Sequence, residues 1–227
     1  MNPIVVIAAS AGGLGPLKQI VAALPDPCAA SVFIVLHIGP RPSLLPQILS
    51  WVGRLPVSHP DDGTLIQTGH VYVAPPDHHM TLGLGRILLD QGPKVNHVRP
   101  AADPLFLSAA EIYREHVMGI VLSGGGGDGA AGLGAIKGHG GIAFVQKPEE
   151  AENPSMPYAA IMVAILMPAC QSRGLPSASL HSAPIVCRPD DHQTSPDDGL
   201  DSNMRFALRL HPAERRQQGR VRPCHRP

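Results

Sequence analysis

The sequence predicts an α/β domain with a doubly wound, mainly parallel sheet (Rossmann-like) and a small antiparallel hairpin element. Apolar, β-branched runs stand at residues 4–7, 32–36 and 119–122, segments with helical spacing separate them, and Ser10, His37 and Asp128 follow them in turns. Runs that are apolar throughout, without alternation, are what strands covered on both faces require.

Ile4 to Ala8 reads as the first strand and Ser10-Ala11-Gly12-Gly13 as a tight turn. Leu17, Ile20, Val21 and Leu24 then recur at helical spacing until Pro25 ends the run. Ser31 to Leu36 forms a second strand that leads through His37 into a Pro-rich turn, and Leu44 to Val52 reads as a helix. This β-α-β-α rhythm predicts parallel strands joined by right-handed crossovers. Val71 to Val73, Met80 to Leu82 and Arg86 to Leu89 are short runs bounded by Gly, Pro and Asp, and are expected to be small antiparallel strands or hairpins. Leu105, Ala109, Ile112 and Tyr113 restore a helical period. A strand over Gly119 to Leu122, a glycine-rich loop from Ser123 to Gly129, a helix over Ala130 to Lys137 and a strand over Ile142 to Gln146 complete the series.

From about Ala169 the periods vanish, and Pro, Ser, Asp and Arg dominate. The expected organisation is a catalytic domain over residues 1–169 and a disordered or aberrant tail over residues 170–227, which lacks the apolar density to offset its ordering entropy. The last lysine is Lys147 while arginine recurs to Arg226, a bias compatible with a frameshift or a divergent extension.

Composition narrows the function. A formal net charge of zero offers no global attraction for nucleic acid or an anionic membrane, and 4% aromatic residues leave little for base stacking. The N-terminus lacks a basic stretch ahead of its apolar run, and no segment approaches a membrane span, so a cytoplasmic protein with no membrane insertion is expected. Cys28, Cys170, Cys187 and Cys224 are scattered without metal-site or disulfide spacing and read as free thiols.

Ligands of open α/β sheets bind beyond the carboxyl ends of the strands, so Ser10, His37 and Asp128 can meet at one edge. A serine hydroxyl needs a neighbouring base, a neutral imidazole serves near pH 7, and a carboxylate fixes the imidazole tautomer. These roles fall to Ser10, His37 and Asp128 in turn. The Ala11 N–H and, in the glycine run, the Gly125 N–H are candidate oxyanion donors. The order Ser, His, Asp and the motif Ala8-Ala9-Ser10-Ala11-Gly12 disfavour a standard α/β-hydrolase. Each residue also has a plainer reading: Ser10 and Asp128 as helix N-caps, and His37 as a hydrogen-bonded strand-end residue. No Gly-Lys-Ser/Thr supports a phosphate cradle, no metal is expected, and Asp77, His78 and His79 read as loop residues. The arginines from Arg205 to Arg222 follow an acidic cluster and read as a solvated tail.

Several blocks, in order, resemble the catalytic domain of the chemotaxis protein-glutamate methylesterases, the CheB family. They are Ile7-Ala8-Ala9-Ser10-Ala11-Gly12-Gly13, Val35-Leu36-His37, residues 69–77 with His79-Met80, residues 95–103, and residues 122–133, together spanning about residues 3 to 161. The resemblance implies hydrolysis of glutamate methyl esters on chemoreceptors with release of methanol, glutamine deamidation in some relatives, and no cofactor. It assigns Ser10 as nucleophile, His37 as base and Asp128 as orienting acid, and implies a methylated chemoreceptor or related signalling protein as partner. Arg99 and Asp103 fall in a matched block, either lining the cleft or pairing for stability. Ala9 stands where the family usually has Gly, and Gly125 where it often has Met. No receiver domain is expected ahead of a first strand starting at residue 4, and the family's final helix is not apparent. A rival from another class is a non-catalytic binding module that keeps the fold.

Overall fold

The computed structural model describes residues 1–39 and 41–166. Expectations for the segment 170–227, including Cys170, Cys187 and Cys224, lie outside the described residues. In chain order the elements are β1 (Ile4–Ala9), α1 (Leu14–Ala23), β2 (Ser31–Leu36), α2 (Leu45–Ser50), β3 (Val57–Ser58), β4 (Val71–Val73), β5 (His79–Gly83), β6 (Arg86–Asp90), α3 (Ala102–Tyr113), β7 (Val117–Val121), α4 (Ala130–Gly138), β8 (Ile142–Val145) and α5 (Ser155–Leu166). Six strands form one parallel sheet in the order β3-β4-β2-β1-β7-β8, and β5 pairs with β6 in a separate antiparallel hairpin.

Every residue of β1 is buried. Ile4, Val6 and Ala8 face a core shared with Leu105 and Phe106 of α3, Leu133 of α4 and Met80 of β5, while Val5, Ile7 and Ala9 face Leu17 and Val21 of α1 and Leu49 of α2. Alternate side chains of one strand thus feed two cores, which is why the run carries no polar residue. From β1 the chain first builds outward on one side through β2, then crosses to β7 on the other. This reversal opens a crevice at the carboxyl ends of β2, β1 and β7.

Val71 to Val73 is not part of a hairpin: it pairs parallel with β2 and β3 in the main sheet. All three residues of β4 are buried, and Tyr72 can be so because its hydroxyl accepts from Gln67 N–H and donates to the Leu65 carbonyl. The hairpin consists of the other two runs. His79 opens its first strand and is not a loop residue: buried, its ring meets the Pro93 carbonyl through Nε2 at 3.0 Å and the Ala101 N–H through Nδ1 at 3.3 Å. The short strand β3 and the helix α5 were not anticipated. Cys28 is a buried free thiol.

Candidate active site

Ala9 and Leu36 are register partners on adjacent parallel strands, so Ser10 and His37 leave the sheet side by side. The Ser10 N–H donates to the Ser123 carbonyl at 2.9 Å, and the His37 N–H to the Ala9 carbonyl at 3.1 Å, so the ladder extends into the site. Gly13 N–H donates to the Ser10 carbonyl and closes the turn. A Cβ at Gly12, where φ is +77°, would lie 2.4 Å from Glu152 Cβ, so only glycine fits. A Cβ at Gly13 would lie 2.8 Å from the Ala9 methyl. The additional methyl of Ala9 therefore fills space that residue 13 leaves open, and it is fully buried.

His37 Nε2 lies 2.8 Å from Asp128 Oδ2, with the imidazole 10% and the carboxylate 3% exposed. An ionised carboxylate only accepts, so Nε2 carries the proton and the ring's lone pair sits on Nδ1. The same carboxylate takes the N–H groups of Ala102 on Oδ2 and Asp103 on Oδ1, the first two of α3, and the Asn96 amide on Oδ1 at 2.8 Å. Burial by itself pushes this carboxyl up, but the hydrogen bonds from His37, Ala102 and Asn96 outweigh it and hold the group below its ordinary value.

Asp128 is thus a helix cap, but of α3 and not of the helix that follows it: Gly129 stands at the N-cap of α4 with no side-chain cap bond. Asp103, within α3, returns the arrangement by accepting the Gly132 N–H in the first turn of α4 at 2.8 Å. Two helix N-termini each receive a carboxylate from the other's chain segment, where the macrodipole favours negative charge. The close approach needs Gly132, since a Cβ there would lie 2.3 Å from Phe106 Cβ. Burial pushes the Asp103 carboxyl above its ordinary value, its hydrogen bonds from Gly132 and Asn96 opposing and the nearby Asp128 charge adding.

Ser10 is not an N-cap: Gly13 holds that position on α1 and no side chain caps the helix. Among the described residues the Ser10 hydroxyl makes no hydrogen bond, and the N–H groups of Ala11 and Gly125 have no acceptor. The loop bends toward the serine at Gly124, where a Cβ would fall 2.7 Å from Ser10 Cβ and 2.1 Å from Met156 Sδ. Gly124 N–H already donates to Asn153, whereas exposed Gly125 has its N–H unspent. Fully buried Ser123 ties the two turns together, its hydroxyl donating to the Ala11 carbonyl at 2.7 Å and accepting the Asn153 N–H at 2.9 Å.

Residue types and spacing had not marked Asn96 or Ser123, and had left Asp103 between two roles. Asn96 and its neighbour His97 have left-handed backbones, φ 51° and 66°, which no feature of the sequence marks. Arg99 takes the pairing role: its guanidinium bonds Asp77 at 2.7 and 3.0 Å and the carbonyls of Gln91 and Gly92. No cluster of three or more His, Cys, Asp or Glu residues suited to a metal ion occurs among the described residues.

A parallel α/β sheet with serine, imidazole and carboxylate at its carboxyl edge defines a hydrolase-type domain. The CheB methylesterase family model matches residues 5–174, and the chain belongs to that family. A crystal structure of the Thermotoga maritima CheB methylesterase catalytic domain superposes with a TM-score of 0.69 at 34% identity, covering 71% of this chain and 88% of that one. A Leptospira interrogans protein provisionally named protein-glutamate methylesterase/protein-glutamine glutaminase is 38% identical over 159 residues, which are 69% of this chain and 82% of that protein. The protein of that name from Pyrococcus horikoshii is 38% identical over 162 residues, 69% of this chain but 44% of the longer relative. The protein is accordingly an enzyme of the methylesterase class, a hydrolase of chemotaxis signalling.

Proposed function

We propose that Ser10 attacks the carbonyl carbon of a glutamyl methyl ester while His37 Nδ1 takes its proton. The tetrahedral oxyanion is met by the Ala11 and Gly125 N–H groups. Collapse breaks the ester C–O bond, and the proton passes from His37 to the leaving oxygen to give methanol. Water, deprotonated by the same nitrogen, then attacks the acyl-serine, releasing glutamate and restoring Ser10. Throughout, Asp128 orients the imidazole and stabilises its charged form. The observation that carries this reading is the 2.8 Å contact between His37 Nε2 and Asp128, which leaves Nδ1 as the available base.

The substrate is a methylated chemoreceptor or related signalling protein, met in the cytoplasm. No helix of the described residues is long and apolar enough to cross a membrane, in keeping with that location. The relatives' second name, protein-glutamine glutaminase, supports deamidation at the same serine, with ammonia replacing methanol as leaving group.

Methanol release from a methylated receptor preparation tests the proposal. Ser10→Ala should lower the rate by about 10⁴-fold or more, since triad members act as a unit. Undiminished release would exclude the mechanism. The Ser10 hydroxyl makes no hydrogen bond among the described residues, so its activation is tested directly: a serine-directed phosphonate should form an adduct on Ser10, and a folded sample that forms none would exclude Ser10 as the nucleophile.

A further inference from the structure

Asn96 is an exposed loop residue whose amide turns inward, and one nitrogen of that amide serves two carboxylates. Nδ2 donates to Asp103 Oδ2 at 2.8 Å and to Asp128 Oδ1 at 2.8 Å. This fixes the amide orientation, since the flipped form would set Oδ1 against two carboxylate oxygens. Asp103 is fixed in turn through Oδ1 by the Gly132 N–H at 2.8 Å. A rigid path therefore runs from the first turn of α4 through Asp103 and Asn96 to the oxygen of Asp128 opposite the one that meets His37. The backbone supports it: φ of 51° at Asn96 is a left-handed conformation that asparagine tolerates well.

We propose that Asn96 and Asp103 are positioning residues for the reaction, the Asn96 amide anchored on Asp103 holding the Asp128 carboxylate in the orientation that receives His37 Nε2–H. This rests on the triad reading above. Both act through Asp128, Asn96 directly and Asp103 by way of Asn96. Two other titratable groups face the Asp128 carboxylate: His37, from the end of β2, bonds it directly, and the Asp103 carboxylate, on α3, meets it through the shared Asn96 amide. Without the amide, two buried carboxylates would face one another with no donor between them, and Asp128 Oδ1 would keep only the longer bond from the Asp103 N–H, at 3.2 Å. Substitution at an exposed position is ordinarily close to neutral, so a large effect at Asn96 sets positioning apart from simple surface chemistry.

Asn96→Gly removes the amide and accepts the left-handed backbone, and Asn96→Asp keeps the shape while adding a negative charge. In methanol release, Asn96→Gly should lower kcat by about 10- to 100-fold with KM within about twofold, because geometry is lost and binding is not. Asn96→Asp should fall further. In the Ser10→Ala background, the downfield proton resonance of His37 Nε2–H should be weakened or lost in both. That measurement requires no turnover, so it judges the clamp even if the esterase mechanism fails. The proposal is overturned if either variant, folded by circular dichroism, keeps kcat within about twofold of the parent. A His37 Nε2–H resonance unchanged by Asn96→Gly overturns it equally.

Discussion

Asp128 accepts from four directions: His37, Ala102 N–H, Asp103 N–H and Asn96. An amide in its place presents one accepting atom and one donating atom to a ring of donors. Asp128→Asn should therefore lower methanol release by about 10⁴-fold through the wrong His37 tautomer. It should also cost stability, about 1–3 kcal/mol, because a buried donor loses its acceptor. His37→Ala should match the loss of activity and leave Asp128 without one of the bonds that keep it ionised. Rate assays and denaturant midpoints on the same preparations separate the two effects. If Asp128→Asn were as stable as the parent, the capping of α3 would not be the role described.

At the scale of elements, the loop between β7 and α4 joins the serine turn to α5 through Gly124. Gly124→Ala would drive a methyl to 2.1 Å from Met156 Sδ and 2.7 Å from Ser10 Cβ, and should cost about 1–3 kcal/mol together with much of the activity. At neighbouring Gly125 the nearest atom to an added Cβ is Asn153 Nδ2 at 3.3 Å, so Gly125→Ala should stay within about 0.5 kcal/mol and retain its N–H. Thermal unfolding of the two variants tests the contrast, which fails if they melt alike. The long strands were legible in the sequence because burial on both faces writes an unbroken apolar run, and the positions just after them then fell at one sheet edge. β3, with two residues, is too short to carry a period, and the three-residue run of β4 shows burial but not direction. In α5 the buried stripe Met156, Ala160 and Ala164 is backed by exposed apolar Tyr158 and Met162, so the contrast between faces that marks a helix is missing. The Asn96 and Asp103 contacts depend on where a left-handed loop meets two crossing helices, and no spacing within the chain encodes that.

For the molecule as a whole, the paired carboxylates set opposing responses to pH. Asp128 is held below its ordinary value of 3.8, so in the interval beneath it the folded state is ionised while the unfolded chain binds protons. Its contribution is complete above 3.8 and is lost as pH falls through the folded value. Asp103 is raised above 3.8, so there the folded state keeps a proton that the unfolded chain has released. Its contribution is present below 3.8 and is lost as pH rises through the folded value. Asp103→Asn should therefore remove a decline in stability on the alkaline side of that point, and the gap between variant and parent should change across the window just above it. His70, whose imidazole burial pushes down from 6.5, contributes a slope of its own, but it is common to both proteins and cancels in the difference. Urea midpoints from about pH 3 to about pH 7, which spans the carboxylate and imidazole ranges, provide the measurement. Parallel curves would show that Asp103 titrates alike in folded and unfolded chains. A gap that moves in the variant's favour with rising pH is the expected result, because the buried charge beside Asp128 is then the one removed.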